Sequence, residues 1–270
     1  MTKKIPDFKE TLSLQKYRGA IDFLQSHIQL LDASLIEASK QLDAKTNKKE
    51  NINSALGLNP TLYKCLNHPV RQHKVLIKHS QKQNIEFAIL RLYNLFTVYL
   101  KDITREMFAK NPMLVVEKAV VNKSGADKEN LVMTFAEIIR LNKIENIQEQ
   151  MVLKIFRSIE ELRSTSKLLD KILKDTKANI PKTTTEEALM YLEMRHLFVH
   201  NRGIVDNKYL NTYGKKFTPE LKEKKELPTK MKIFEKALIA VTNLVLSIDK
   251  ELILHKIVDK RKFKIQNTNA

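Results

Sequence analysis

The run Asn84-Ile-Glu-Phe-Ala-Ile-Leu-Arg-Leu-Tyr-Asn-Leu-Phe-Thr-Val-Tyr-Leu-Lys-Asp-Ile-Thr-Arg-Glu-Met-Phe-Ala-Lys110 sets the fold class. Ile85, Ile89, Leu92, Phe96, Tyr99, Ile103 and Met107 recur at steps of three and four, which puts them on one face of an α-helix. Phe87, Leu95, Val98 and Leu100 widen that face. A stripe this broad is a burial surface, and other helices must cover it. Asn111-Pro112 closes the segment, because Pro112 disfavours helical backbone at the residue before it.

Upstream, Tyr17, Ile21, Leu24, Ile28, Leu31, Leu35, Ala38 and Leu42 alternate steps of four and three, a narrow seam suited to one or two partner helices. Two partners are open: an intramolecular helical hairpin or a second copy of the chain. Asp43 to Asn59 turns polar and reads as a linker ending at Gly57, Asn59 and Pro60. Residues 61–82 carry Cys65, His68, His73 and His79. Their spacing lacks the paired Cys or His of a zinc site, so this region reads as a basic loop. Downstream, Asp127 is a candidate cap for a helix over Leu131 to Leu141, and Gln148 to Asp175 is a further helix. Thr183-Thr-Thr-Glu186 has capping-box spacing and would start the next one, with Gly203 its C-terminal stop. Asn207 to Thr229 reads as a loop with a short hairpin around Tyr213 to Phe217. Met231 to Lys256 is a last amphipathic helix, its face running Ile233, Ala237, Val241, Leu244, Ile248, Leu252 and His255.

Composition agrees. There are 5 Gly, 7 Pro and no Trp in 270 residues, and strict alternation is almost absent, so long helices are the default. The formal net charge of +17 draws polyanions, of which nucleic acid is the commonest. A single Cys65 cannot form an intramolecular disulfide, and no run is apolar enough to span a bilayer; together these point to a cytoplasmic protein without a membrane partner. The expected architecture is all-α, an antiparallel helical bundle. Its parts would be an N-terminal helical extension and linker over 1–60, the main domain over 61–258 and a basic tail over 259–270.

Chemistry concentrates in Tyr191-Leu-Glu-Met-Arg-His-Leu-Phe-Val-His-Asn-Arg-Gly-Ile-Val-Asp206. Arg195, His196 and His200 fall within six residues at a helix end. On an ideal helix His196 and His200 share a face, while Arg195 lies roughly 140° around from His200. RNA cleavage without a metal needs a base for the 2′-hydroxyl, an acid for the leaving 5′-oxygen and a fixed cation for the phosphorane. Imidazoles serve the first two needs and a guanidinium the third. His196 and His200 with Glu193 also form part of a metal-ligand pattern, with only the distant His255 to add. No metal or cofactor is therefore expected, and no Gly-rich phosphate loop or nucleophile elbow competes.

Arg195-His196-Leu-Phe-Val-His200 resembles the R-x4-6-H motif of HEPN-domain ribonucleases, whose residue after Arg is typically polar. Asn201, Gly203, Val205, Asp206 and Tyr209 look like a bacterial branch of that superfamily. The resemblance is carried by residues 184–210, extends more loosely over 83–258 and does not reach the first 60. It implies an all-α fold, a homodimer with a composite site and a metal-independent endoribonuclease. Such an enzyme leaves a 2′,3′-cyclic phosphate and a 5′-hydroxyl and serves as a toxin or in phage defence. By position, Arg195 and His200 match the defining pair and His196 the polar residue between them. RNA contacts are expected from Asn201, Arg202, Lys260, Arg261 and Lys262, and an antitoxin or regulator is a further expected partner. Members paired with nucleotidyltransferase antitoxins usually have Tyr two residues after the motif His; here that residue is Arg202. The alternative function is a non-catalytic RNA-binding or adaptor protein.

Overall fold

The structure is a computed structural model that describes residues 9–111, 133–160, 166, 169–170, 173, 178–217 and 221–261. Among these the fold is all-α: α1 (Leu12–Asp43), α2 (Ile52–Ala55), α3 (His73–Lys110), α4 (Phe135–Leu141), α5 (Ile144–Glu160), α6 (Lys182–Leu192), α7 (Met194–Asn201), α8 (Asn207–Tyr213) and α9 (Met231–Leu254). No strand forms among the described residues beyond two isolated bridges, Asn51 with Pro69 and Ile204 with Glu226. No helix among them is long and apolar enough to cross a membrane.

The long helices α1 and α3 pack together and run antiparallel, as their side-chain pairs show. Ser13 meets Glu106, Tyr17 meets Tyr99, Asn84 donates to the Ile28 carbonyl, and Gln81 donates to Asp32. Partner numbers fall as α1 numbers rise. The apolar seam explains the pairing. Tyr17, Ile21, Leu24, Ile28 and Leu42 are buried on α1, and Ile85, Ile89, Leu92, Phe96, Tyr99, Ile103 and Met107 are buried on α3. The seam is not covered throughout, since Leu31 is exposed. Leu95 and Leu100 join the core of α3, whereas Phe87 and Val98 face solvent.

Compact packing divides the chain into two units: Met1–Ala20, Asn94–Glu193 and Ile239–Ala270 form one, and Ile21–Tyr93 with Met194–Leu238 form the other. The first unit is organised around a buried polar knot. Thr11 caps α1 by accepting from the Leu14 N–H at 3.0 Å, and its own N–H and hydroxyl donate to Asp249. Ser13 donates its N–H to Glu106 at 2.7 Å. Two carboxylates from other helices thus meet the open N–H groups at the start of α1, where the helix dipole favours negative charge. Burial raises the Asp249 carboxyl above its ordinary range and raises the Tyr99 phenol beside it.

The second unit corrects several expectations. Residues 43–59 are not a plain linker: α2 forms within them, and Ile52 and Ala55 bury against Leu42 and Val70. Helix α3 begins at His73 rather than Asn84. His73 is buried, with Nδ1 at 2.7 Å from the Val70 carbonyl and Nε2 at 3.2 Å from Asp43. Its ring belongs to the helix start, and the described residues hold no group of three or more potential metal ligands.

Other boundaries move too. Thr134 caps α4, in a complete capping box with Glu137; the expected cap Asp127 and the expected start at Leu131 lie outside the described residues. Helix α5 starts at Ile144, ahead of Gln148. The segment after Asp206 is helix α8 and a 3-10 turn, not a hairpin, because Asp206 accepts from the Tyr209 N–H at 2.7 Å and Tyr209 and Tyr213 pack one turn apart. Helix α9 buries Ile233, Ala237, Val241, Leu244, Ile248 and Leu252; it ends at Leu254, which leaves His255 exposed.

Candidate functional site

The motif segment is two helices rather than one. Helix α6 starts at Lys182 on the N-cap Pro181, so Thr183 to Thr185 are already helical and no side-chain cap forms. Pro fixes φ near its helical value and so prepares the first turn without a hydroxyl cap. The helix is interrupted at Glu193, and α7 carries Met194 to Asn201.

Met194 and Leu197 anchor α7 by burial, while His196, Val199 and His200 face solvent. Gly203 ends the motif as expected, at φ +75°. Its N–H reaches the Leu197 carbonyl at 2.9 Å, and its carbonyl accepts from Leu227 at 2.8 Å. A Cβ there would sit 3.2 Å from the Phe198 ring, so glycine is needed for space as well as for backbone. Arg202, just before, is also left-handed at φ +53°.

His196 and His200, one turn apart, bring their ring centroids to 4.8 Å with a 48° tilt. Arg195 points elsewhere. Its guanidinium carbon lies 4.4 Å from the ring centroid of Tyr93 on α3, a cation–π contact. Such contacts contribute about 0.5–2 kcal/mol according to how dry they are, and they fix the plane of the guanidinium. The structure therefore brings the two imidazoles together and seats the arginine on a tyrosine that the sequence pattern did not single out. Nothing in a helical period could pair Tyr93 with Arg195 across the intervening hundred-odd positions.

The flanking residues each have a local structural task. The Asn201 amide donates to the Ile204 carbonyl at 2.6 Å and so closes the turn. Val205 is buried and exchanges hydrogen bonds with Lys224 and Lys225. Beside the turn, Lys82 pairs with Glu226 at 2.9 Å and Glu86 at 3.9 Å. Burial, and then the charge of Glu226, raises the Glu86 carboxyl, against the lowering effect of Lys82. Arg202 is exposed. Lys260 and Arg261 belong to the first unit, where the Arg261 N–H donates to the Glu10 carbonyl at 2.9 Å; Lys262 lies outside the described residues.

No protein-family model, curated protein or solved structure matches the chain.

Proposed function

We propose that this chain is a metal-independent endoribonuclease of the HEPN kind, of the toxin or phage-defence type, acting as a homodimer. The observation that carries the reading is the exposed pair His196 and His200, 4.8 Å apart between ring centroids, on the short helix that also carries Arg195. One imidazole takes the proton of the RNA 2′-hydroxyl as its oxygen bonds to phosphorus. The other protonates the 5′-oxygen as the P–O5′ bond breaks. The products are a 2′,3′-cyclic phosphate and a 5′-hydroxyl, and atoms balance without water or metal. Arg195 supplies charge to the phosphorane. The +17 surplus supplies salt-sensitive affinity for the backbone. One copy of α7 offers a single arginine, and two copies facing across a two-fold axis would double the set.

The seat of Arg195 on Tyr93 favours a second reading, in which the arginine is structural and the protein binds RNA without cutting it. His200→Ala separates the two. It removes a proton-transfer group and none of the lysines and arginines that hold the backbone, so cleavage falls by roughly 100-fold or more while RNA affinity holds. Cleavage should also persist in a strong chelator. Equal cleavage by His200→Ala and wild type sinks the ribonuclease reading. RNA binding by both proteins with cleavage by neither installs the adaptor reading.

A further inference from the structure

We propose that His196 and His200 form a two-imidazole site for a borderline divalent transition-metal ion such as Zn2+, and that the ion competes with proton transfer by the same nitrogens. The binding half stands on helix geometry alone; the competition half rests on the ribonuclease reading above.

Residues i and i+4 of a helix lie one above the other, and α7 holds His196 and His200 in that relation on its solvent side. A ligating imidazole nitrogen sits roughly 2.0–2.1 Å from Zn2+, which puts its ring centroid about 3.2 Å from the ion. Two such rings at ligand angles of roughly 90–110° hold their centroids about 4.5–5.2 Å apart. The observed separation is 4.8 Å, and the 48° tilt shows that the rings are not stacked flat. Burial of Met194 and Leu197 below and the Gly203 turn at the end hold the helix that presents the pair. Little ordering is left for the ion to impose.

Within one copy the remaining coordination positions would be water, since its described residues hold no third protein ligand in reach of the pair. That marks an open, exchangeable site rather than a structural one. Imidazole suits Zn2+, Ni2+ and Cu2+, whereas Mg2+ and Ca2+ take oxygen ligands. The lone pair that binds the ion is the one that accepts a proton. Occupation therefore silences acid–base work. His73 and His27 are poorer hosts. His73 is buried against Val70 and Asp43, and His27 lies against the Phe87 ring. The pair of Glu251 on α9 and His255 just past its end, 3.6 Å apart, is the nearest rival and serves as the control.

The test is calorimetric titration of ZnCl2 into the full chain in a non-chelating buffer, with MgCl2 in parallel. Wild type should bind Zn2+ and not Mg2+. His196→Ala and His200→Ala should each weaken Zn2+ by roughly ten-fold or more, because one imidazole of two is lost. His255→Ala should leave that affinity unchanged. These positions are exposed, so the variants should fold, which circular dichroism checks. In unsubstituted protein, Zn2+ should move two imidazole proton resonances, the two missing from the His196→Ala and His200→Ala spectra. No Zn2+ binding by wild type, unaltered affinity in both variants, or loss confined to His255→Ala overturns the site. With RNA present, Zn2+ should inhibit wild-type cleavage over the concentrations at which it binds, and undiminished cleavage at saturation overturns the competition. Zn2+ binding as described in a protein that cuts no RNA keeps the site and removes the ribonuclease reading.

Discussion

Replacing Asp249 by Ala should cost the fold about 2–6 kcal/mol, a loss that follows from what its carboxylate receives. Asp249 is 1% exposed and accepts from the Thr11 N–H at 3.2 Å, from the Thr11 hydroxyl and from the Tyr99 hydroxyl at 3.5 Å. The Tyr99 hydroxyl keeps the Val245 carbonyl as an acceptor, so alanine chiefly orphans the two Thr11 donors. Each buried donor left unmade costs about 1–3 kcal/mol. Thr11→Ala should cost less, about 0.5–2 kcal/mol for the lost cap. The double variant should fall short of the sum by more than about 0.5 kcal/mol, because both changes break the contact between the Thr11 hydroxyl and Asp249. Urea unfolding followed by circular dichroism measures all three. The pH dependence supplies an independent sign. Burial raises the native Asp249 carboxyl above its unfolded value, so the carboxyl contributes most below the ordinary carboxylate range, and that contribution is lost as pH rises through the raised native value. Wild type relative to Asp249→Asn should therefore weaken with rising pH across that window. An Asp249→Ala protein within about 0.5 kcal/mol of wild type, or the opposite pH slope, would refute the knot as a source of stability.

Gly203→Ala should destabilise by about 1–3 kcal/mol, from a left-handed backbone and a Cβ 3.2 Å from Phe198; Arg202→Gly should stabilise by up to about 1 kcal/mol. Thermal unfolding of the two variants should move in opposite directions. Tyr93→Leu should lower cleavage through the maximal rate more than through the Michaelis constant, with Tyr93→Phe restoring most of it; equal loss in both variants would mean that the ring face does not seat Arg195. Light scattering should report a homodimer at assay concentration, and a fully active monomer would rule out a composite site.

Helix identity was legible where one face is buried along its length. The seven spaced apolar residues of α3 are all interior, and so is the main face of α9. Reading failed at the margins of those faces. Phe87 and Val98 extend the stripe in sequence, yet burial depends on where neighbouring elements stop, which spacing does not encode. The start of α6 was misplaced because Thr183 and Glu186 satisfy the capping-box pattern while Pro181 already sets the first turn. At the site, the His196 and His200 neighbourhood follows from helical spacing. The Tyr93 seat of Arg195 and the Asp249 acceptor for Thr11 do not, since both join residues that only tertiary packing brings together.

Thr11 and Asp249 are 238 positions apart. At a translation rate of roughly 5–20 residues per second, about 12–48 s separate their emergence. For that interval α1 exists without the carboxylate that receives its leading N–H. Its first turn then has only the Thr11 cap and, once α3 has emerged, Glu106, and the Thr11 N–H has no acceptor. The nascent protein would thus be fastened last at the place where its first helix begins. A ribosome stalled before Asp249 should leave that end open to proteases while the α1–α3 pair resists them.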